Sequence, residues 1–271
     1  MKAVILSINR EVAIVDLSNE IPRHDVASAS YLLANLYQLY PANTIHLIVV
    51  DPDVGTSRLP IAVASPLCNF ICPDNGVLSH ILKHQDASVN PNPIDAIHPL
   101  TLPSDWQARK LTNRNYFRPN VSSTFHGRDI FASVAGHLSL GVPLSAFGEP
   151  LESILAFSVP EPTRRGATIV GRIEHVDHFG NLISNISADL LDGDDESRFV
   201  VHIGSETIYG LSKTYGDSEG LMCLVNSEGL LEIAVNRGNA SSHLGVHTRV
   251  SIEVSAKTDH ETLDNFVAPE I

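Results

Sequence analysis

Cysteine is scarce in this 271-residue chain: Cys68, Cys72 and Cys223 are the only three, each in an apolar setting. Three such thiols exclude a disulfide framework and a zinc site of the usual ligand spacing, and a reducing, cytoplasmic compartment suits them. Positive charge is short as well. Eighteen Lys and Arg stand against 31 Asp and Glu, for a net charge of −13. That balance argues against a surface built to hold phosphates, and so against a nucleic-acid partner. No apolar run approaches the roughly 18 residues of a membrane-spanning helix, so a soluble chain without a membrane partner is expected. Met1 leads into a short amphipathic stretch and not into a charged-then-apolar leader, so no export signal is read. Hydrophobic residues, at 43%, still suffice for a large core, and the length suggests two domains.

What the chain does have is an apolar strand that runs straight into a polar loop. TIHLIVV (44–50) leads into Asp51, and DPDVGTSR then brings Arg58 up to the next apolar run, IAVA. Ligands of α/β sheets gather on loops at strand ends, where an acid and an Arg seven positions apart can converge on one point. The same pattern also describes a surface turn with a weak ion pair.

Taken in order, MKAVILSI has the spacing of the last turns of a helix, and EVAIVDL alternates as a strand. Asp25 can cap a helix through VASASYLLANLYQLY, stopped by Pro41. IAVAS and NFIC read as further strands, and PDNGVLSHIL turns into a helix at Gly76. Strand, helix and strand in alternation imply a mostly parallel sheet in an N-terminal α/β domain. Residues 87–120, rich in Pro, Asn and Asp, read as loop around one short strand near Ala96. FHGRDIFASVAGHLSL (125–140) is the clearest helix, with Ile130, Phe131, Val134 and Leu138 on one face and Gly141 at its end.

Around PEPTRRG the pattern changes to short strands: ATIVGRIEHV, LISNI, FVVHIG, TIYGL, MCLV, LLEIAV and RVSIEVS. So many strands in about 95 residues predict a small C-terminal β-barrel or sandwich. The domains expected are therefore 1–158, α/β, and 166–255, all-β, followed by an acidic, patternless tail at 256–271 read as disordered.

Three further motifs carry chemistry. C-P-D-N-G (72–76) is a turn from strand end into helix, either a plain Asx turn or a site loop. S-T-F-H-G-R-D (123–129) puts His126 at a helix start, as a cap or as a catalyst, with Gly127 able to let a ligand approach the backbone. H-V-D-H-F-G-N (175–181) offers a carboxylate, an aromatic face and a side-chain amide within five residues, a set that could read adenine. Its two His flank an Asp, yet nothing else at ligand spacing completes a metal site.

Together VVDPDVGTSR, PDNGVLS, STFHGRDIFASVAGHL, HVDHFGNLISNI and NSEGLLEIAVNRGNA resemble the S-adenosylmethionine hydroxide adenosyltransferase family. These are S-adenosylmethionine hydrolases related to the fluorinase and chlorinase enzymes, and the match covers nearly the whole chain in order. The resemblance implies an α/β domain followed by a β-barrel, in a homotrimer whose sites lie between subunits. It implies hydrolysis of S-adenosyl-L-methionine to adenosine and L-methionine with no metal or organic cofactor.

By the same resemblance the catalytic set falls on Asp51, Arg58 and His126, which would hold and activate a water for attack at ribose C5′. Which of Asp51 and His126 is the base stays open. Substrate binding falls on Asn75, Asp177, Phe179, Asn181, Ser227, Glu232, Val235 and Asn236. Phe179 would lie against adenine, unless it packs in the barrel core, and Asn181 would bond the base. Asp177 would face the ammonium or sulfonium, and Ser227 the amino-acid end. Halogenating relatives lack the charged set, so its presence favours water over halide.

Two departures from the family pattern stand out. Asp53 takes the place of a usual Gly in D-P-G-V-G. Relatives also begin with a strand and an acidic loop ahead of the segment that MKAVILSI resembles. The expectation is therefore that Met1 is not the natural start and that roughly 15 to 25 codons precede it, enough for a strand, a loop and a helical turn. A chain that truly lacks that loop leaves a second reading, a silent adenosine- or S-adenosylmethionine-binding protein. A halogenase is the third.

Overall fold

The opening segment folds as the helix its spacing predicts. In the computed structural model, which describes residues 1–84, 96–191 and 196–256, it forms α1, Lys2–Ile8. EVAIVDL departs from expectation. Val12 and Ile14 do pack on the core, but the segment forms no strand and joins no ladder among the described residues. Inward packing alone sets a period of two, whereas a strand also needs a neighbour for its N–H and C=O groups. Asp25 caps α2, Val26–Leu36, accepting from the Ser28 amide at 2.9 Å and the Ser28 hydroxyl at 2.7 Å.

The chain divides into two compact units, Met1–Pro160 and Glu161–Ile271. In the first, β1 (Ile45–Leu47), β2 (Pro60–Ala64), β3 (Asn69–Pro73), β5 (Gln107–Lys110) and β6 (Pro150–Leu151) form one sheet in the order β1-β3-β2-β5-β6. A separate antiparallel ribbon pairs β4 (Ile97–Thr101) with β7 (Ser153–Phe157). The α/β class is borne out, but the sheet is not mostly parallel. Among the described residues only β1 and β3 run parallel; β2–β3, β2–β5 and β5–β6 are antiparallel. Only residues 65–68 link β2 to β3. A link that short makes a hairpin, whereas a parallel pair needs a crossover of a dozen residues or more.

Residues 61–63 and 70–72 are buried on both sides of the sheet, which explains their unbroken apolar runs. Ile61, Val63, Phe70 and Cys72 face a core with Leu33 of α2 and with Ile81 and Leu82 of α3 (Ser79–His84). Ala62 and Ile71 face a second core with Ile5 of α1 and with Val134 of α4 (Ala132–Ser139). The segment expected to be loop around one strand holds two in its described part, β4 and β5; its residues 87–95 lie outside the described residues.

In the second unit, β8 (Thr163–Arg165), β9 (Thr168–Val176), β10 (Leu182–Ser187), β11 (Phe199–Ile203), β12 (Glu206–Tyr209), β13 (Leu221–Val225), β14 (Leu230–Val235) and β15 (Ser251–Ala256) form one antiparallel sheet. The order is β12-β11-β15-β9-β10-β14-β13, with β8 beside β9. Its two ends approach through a bridge between Ser212 and Leu224, so the barrel is nearly closed. Ile173, Leu182, Ile186, Val201, Leu231, Ile233 and Ile252 fill it. The expected strands are present. A short helix the pattern did not suggest, α5 (Ala240–Leu244), starts at Asn239, whose side chain accepts from the Ser242 amide at 2.7 Å. The expected tail beyond Ala256 lies outside the described residues.

Candidate active site

The loop after β1 is stapled at both ends by the C-P-D-N-G turn. β1 carries its parallel course beyond Leu47, with the Ile48 amide donating to the Ile71 carbonyl at 3.0 Å. On one flank, Asn75 Nδ2 donates to the Val50 carbonyl at 2.9 Å. On the other, the Asp74 amide donates to the Leu59 carbonyl at 2.8 Å. Asp74 itself is buried and accepts from the Leu155 amide at 2.7 Å, and burial raises its pKa. The turn motif is thus more than an Asx turn: it fixes where the chain enters and leaves the 51–58 loop.

Within that loop Gly55 takes φ +82 and the Thr56 amide and hydroxyl both donate to the Asp53 carbonyl. Asp53 is exposed and does not adopt a positive φ, so its replacement of a Gly costs no backbone strain. The loop returns Arg58 to Asp51. Arg58 Nε donates to Asp51 Oδ1 at 2.8 Å and Nη2 donates to Oδ2. The two side chains are only 6% and 5% exposed. That overturns the weak surface ion pair: a buried, two-pronged pair is costly to break and fixes its own geometry. The Arg58 guanidinium also lies 5.1 Å from the centre of the Phe131 ring.

His126 completes the cluster. Its Nδ1 stands 3.2 Å from Arg58 Nη2. A guanidinium only donates, so Nδ1 accepts, and the neutral ring carries its proton on Nε2. Burial, and then the Arg58 cation, lower the His126 pKa. His126 precedes a turn of π-helix, Gly127–Phe131, that runs into α4; the expected regular helix therefore has an irregular first turn at the site. Gly127 does not open the backbone to a ligand. A Cβ there would lie 2.9 Å from Val49 Cγ1, so close packing accounts for the glycine. Asp129, fully buried, accepts from Arg128 Nε at 2.6 Å and from the Ser122 amide at 2.9 Å. Those bonds tie the segment ahead of His126 to the helix behind it, and hold the Asp129 pKa down to about 2.

In the barrel unit, Asp177 closes a tight turn. Its Oδ1 accepts from the amides of Phe179 and Asn181 at 2.9 and 2.8 Å, and its Oδ2 from Asn181 Nδ2 at 2.9 Å. Phe179 stands on this turn 72% exposed, so it is not a barrel-core residue. Glu232, on β14, is buried, accepts from the Tyr215 hydroxyl at 2.8 Å and feels the Asp177 charge. Burial raises the Glu232 pKa; burial and Glu232 together push Tyr215 up to about 12. Ser227 is exposed on the turn between β13 and β14, and Val235 and Asn236 are half-buried where β14 ends. Sequence reasoning missed Tyr215; its only signal was an aromatic ring in the otherwise polar stretch SKTYGDSEG.

Comparison with known proteins then places the chain. Residues 1–148 match the family model of the SAM hydroxide adenosyltransferase N-terminal domain, and residues 171–253 that of the C-terminal domain. The chain belongs to the SAM hydroxide adenosyltransferase family. Relatives in this family include the (R)-S-adenosyl-L-methionine hydrolase of Salinispora tropica, 34% identical over 257 residues that cover 93% of this chain and 90% of that one. A protein of the same name from Thermus thermophilus is 31% identical, covering 91% and 89%. The fluorinase of an Actinoplanes species is more distant, at 24% identity over 68% of this chain and 65% of its own. Among solved structures, an uncharacterized conserved protein from Thermotoga maritima superposes with a TM-score of 0.80 at 35% identity, covering 94% of this chain and 93% of that one. No helix among the described residues is long and apolar enough to cross a membrane. Among the same residues no cluster of three or more His, Cys, Asp and Glu is placed to hold a metal ion.

Proposed function

We propose that this adenosyltransferase-family protein hydrolyses S-adenosyl-L-methionine to adenosine and L-methionine. The observation that carries the reading is the buried Asp51–Arg58–His126 cluster. An oxygen of water forms a bond to ribose C5′ as the C5′–S bond breaks, and the bonding pair leaves with sulfur as the neutral thioether of methionine. A sulfonium leaves readily without a general acid, so the protein's task is to present the nucleophile in line. Asp51 is assigned as the group that receives the water proton, since one ring nitrogen of His126 bonds Arg58 and the other bears hydrogen. His126 holds the guanidinium in place.

In this reading residues 1–158 supply the chemistry and 166–255 bind substrate, through Phe179 and Asn181 at the base, Asp177 and Ser227 at the amino-acid end, and Glu232, Val235 and Asn236 along the adenine side. The family resemblance supports a homotrimer with sites between subunits, and three buried thiols suit a cytoplasmic setting. No cofactor is needed for displacement at a sulfonium. A fixed carboxylate beside the nucleophile repels halide, which disfavours halogenation.

The relatives' name specifies the (R) form. Because the α-carbon is already designated L, that descriptor belongs to the sulfonium, and the (R) epimer at sulfur is the expected substrate here. The test is incubation of each sulfur epimer in heavy-oxygen water, followed by chromatography and mass spectrometry. Adenosine labelled at its 5′-hydroxyl is expected. Chloride-dependent 5′-chloro-5′-deoxyadenosine, or tight binding with no product, would overturn the proposal.

A further inference from the structure

At the edge of the sheet where Asp51 sits, two side chains each keep one buried polar atom with no partner among the described residues: Nη1 of Arg58 and Oδ1 of Asn75. The rest of each group is occupied. Arg58 uses Nε and Nη2 on Asp51 and His126, and Asn75 uses Nδ2 on the Val50 carbonyl. Asn75 is 5% exposed and the Arg58 side chain 6%. Buried polar atoms are rarely left unpaired, so a bound polar group or an ordered water is the natural partner for both.

The two atoms sit on one frame. Asn75 grips the residue before Asp51 and Arg58 grips Asp51 itself. The Arg58 charge also reaches Cys72 and Asp74, which lead into Asn75. One atom donates and the other accepts, which defines the ligand chemistry. A halide or a carboxylate can accept from Arg58 but has no proton for Asn75, and a sulfonium satisfies neither. A hydroxyl group does both, and water is the smallest such group.

We infer that Asn75 is a catalytic residue that seats the attacking water, an inference that rests on the hydrolytic reading above. Arg58 Nη1 donates to the water oxygen, and the water donates one proton to Asn75 Oδ1 and the other toward Asp51. Three of the four directions around the oxygen are then fixed, and the remaining lone pair faces C5′. As the C5′–O bond forms and the C5′–S bond breaks, the proton toward Asp51 passes to that carboxylate, and the second leaves as the 5′-hydroxyl hydrogen.

The test pairs Asn75→Ala, which removes the acceptor, with Asn75→Asp, which keeps an oxygen there but gives up the bond to Val50. With the full chain and S-adenosyl-L-methionine, Asn75→Ala should lower kcat about a hundredfold while KM moves less than about threefold. Asn75→Asp should recover at least about tenfold of that loss, although both variants lose the same structural bond. A crystal structure of the unliganded wild type should show one ordered water within hydrogen-bond distance of both Arg58 Nη1 and Asn75 Oδ1. The inference is overturned if Asn75→Ala keeps kcat within about twofold of wild type, or if no common water is found. It is equally overturned if the loss lies in KM alone, since Oδ1 would then bond a substrate hydroxyl. Wild-type protein that forms no adenosine would sink the hydrolytic reading by itself, and the crystallographic water still decides the seat.

Discussion

A Cβ built on Gly55 would lie 2.5 Å from the carbonyl oxygen of Ser123, so the loop that carries Arg58 and the segment that carries His126 touch backbone to backbone. Gly55 also takes φ +82, a conformation side chains rarely adopt. Gly55→Ala should therefore destabilise the protein by about 1–3 kcal/mol and separate Arg58 from His126. Thermal unfolding should record the first effect and a drop in kcat the second. Native kcat in a folded Gly55→Ala variant would show that this contact does not set the cluster.

The Asp51–Arg58 pair permits stability and chemistry to be separated. Asp51→Asn leaves the Arg58 cation buried without its counter-ion, a change expected to cost about 3–5 kcal/mol. It should also lower turnover about a hundredfold, as for loss of a positioned proton acceptor. Replacing both partners, Asp51→Leu with Arg58→Met, removes both charges together and should restore most of the stability but none of the turnover. Denaturant melts and adenosine release on the three proteins check this. Near-native turnover in Asp51→Asn would rule out the proposed role.

The sequence made the cluster legible because its members flank secondary-structure boundaries. Asp51 follows an apolar strand, Arg58 precedes one, and His126 opens a helix. What the sequence hid was pairing. Nothing in IAVA and NFIC states which direction they run, and only the shortness of the 65–68 link reveals a hairpin where a parallel pair was expected. EVAIVDL has a strand's alternation and, among the described residues, no partner to form a ladder with. Gly127 looked like an opening for a ligand, whereas Val49, 78 positions earlier in the chain, fills that space. Tyr215 was illegible for the same reason, since it lies between β12 and β13 and its partner Glu232 comes from β14. Local pattern reports what a segment prefers, and these features depend on what it meets.

Phe179 gives a prediction in which stability and affinity part company. Standing 72% exposed on the Asp177 turn, it contributes little to the barrel core. Phe179→Ala should leave the melting temperature nearly unchanged, since exposed positions usually move stability by less than about 0.5 kcal/mol. If the ring lies against adenine, its stacking is shared by bound substrate and transition state alike, so KM should rise with kcat kept. An unchanged KM would remove Phe179 from the substrate site.

The pH profile tests His126. Arg58 Nη2 occupies the neighbourhood of Nδ1, so protonating the ring would set two donors against each other beside a fixed cation. Burial adds to this, and the folded pKa lies below the ordinary 6.5. A folded pKa below the unfolded one means that the neutral ring's contribution to stability is fully present above pH 6.5 and is lost as pH falls through the depressed value. Activity should follow the same sign, because protonation breaks the contact that holds Arg58. The acid limb of kcat/KM should therefore fall below pH 6.5, with turnover level across neutral pH. His126→Asn, whose side chain does not titrate in this range, should lose that limb as well as much of its rate. A limb at or above pH 6.5, or one that persists unchanged in His126→Asn, would assign the titration to another group.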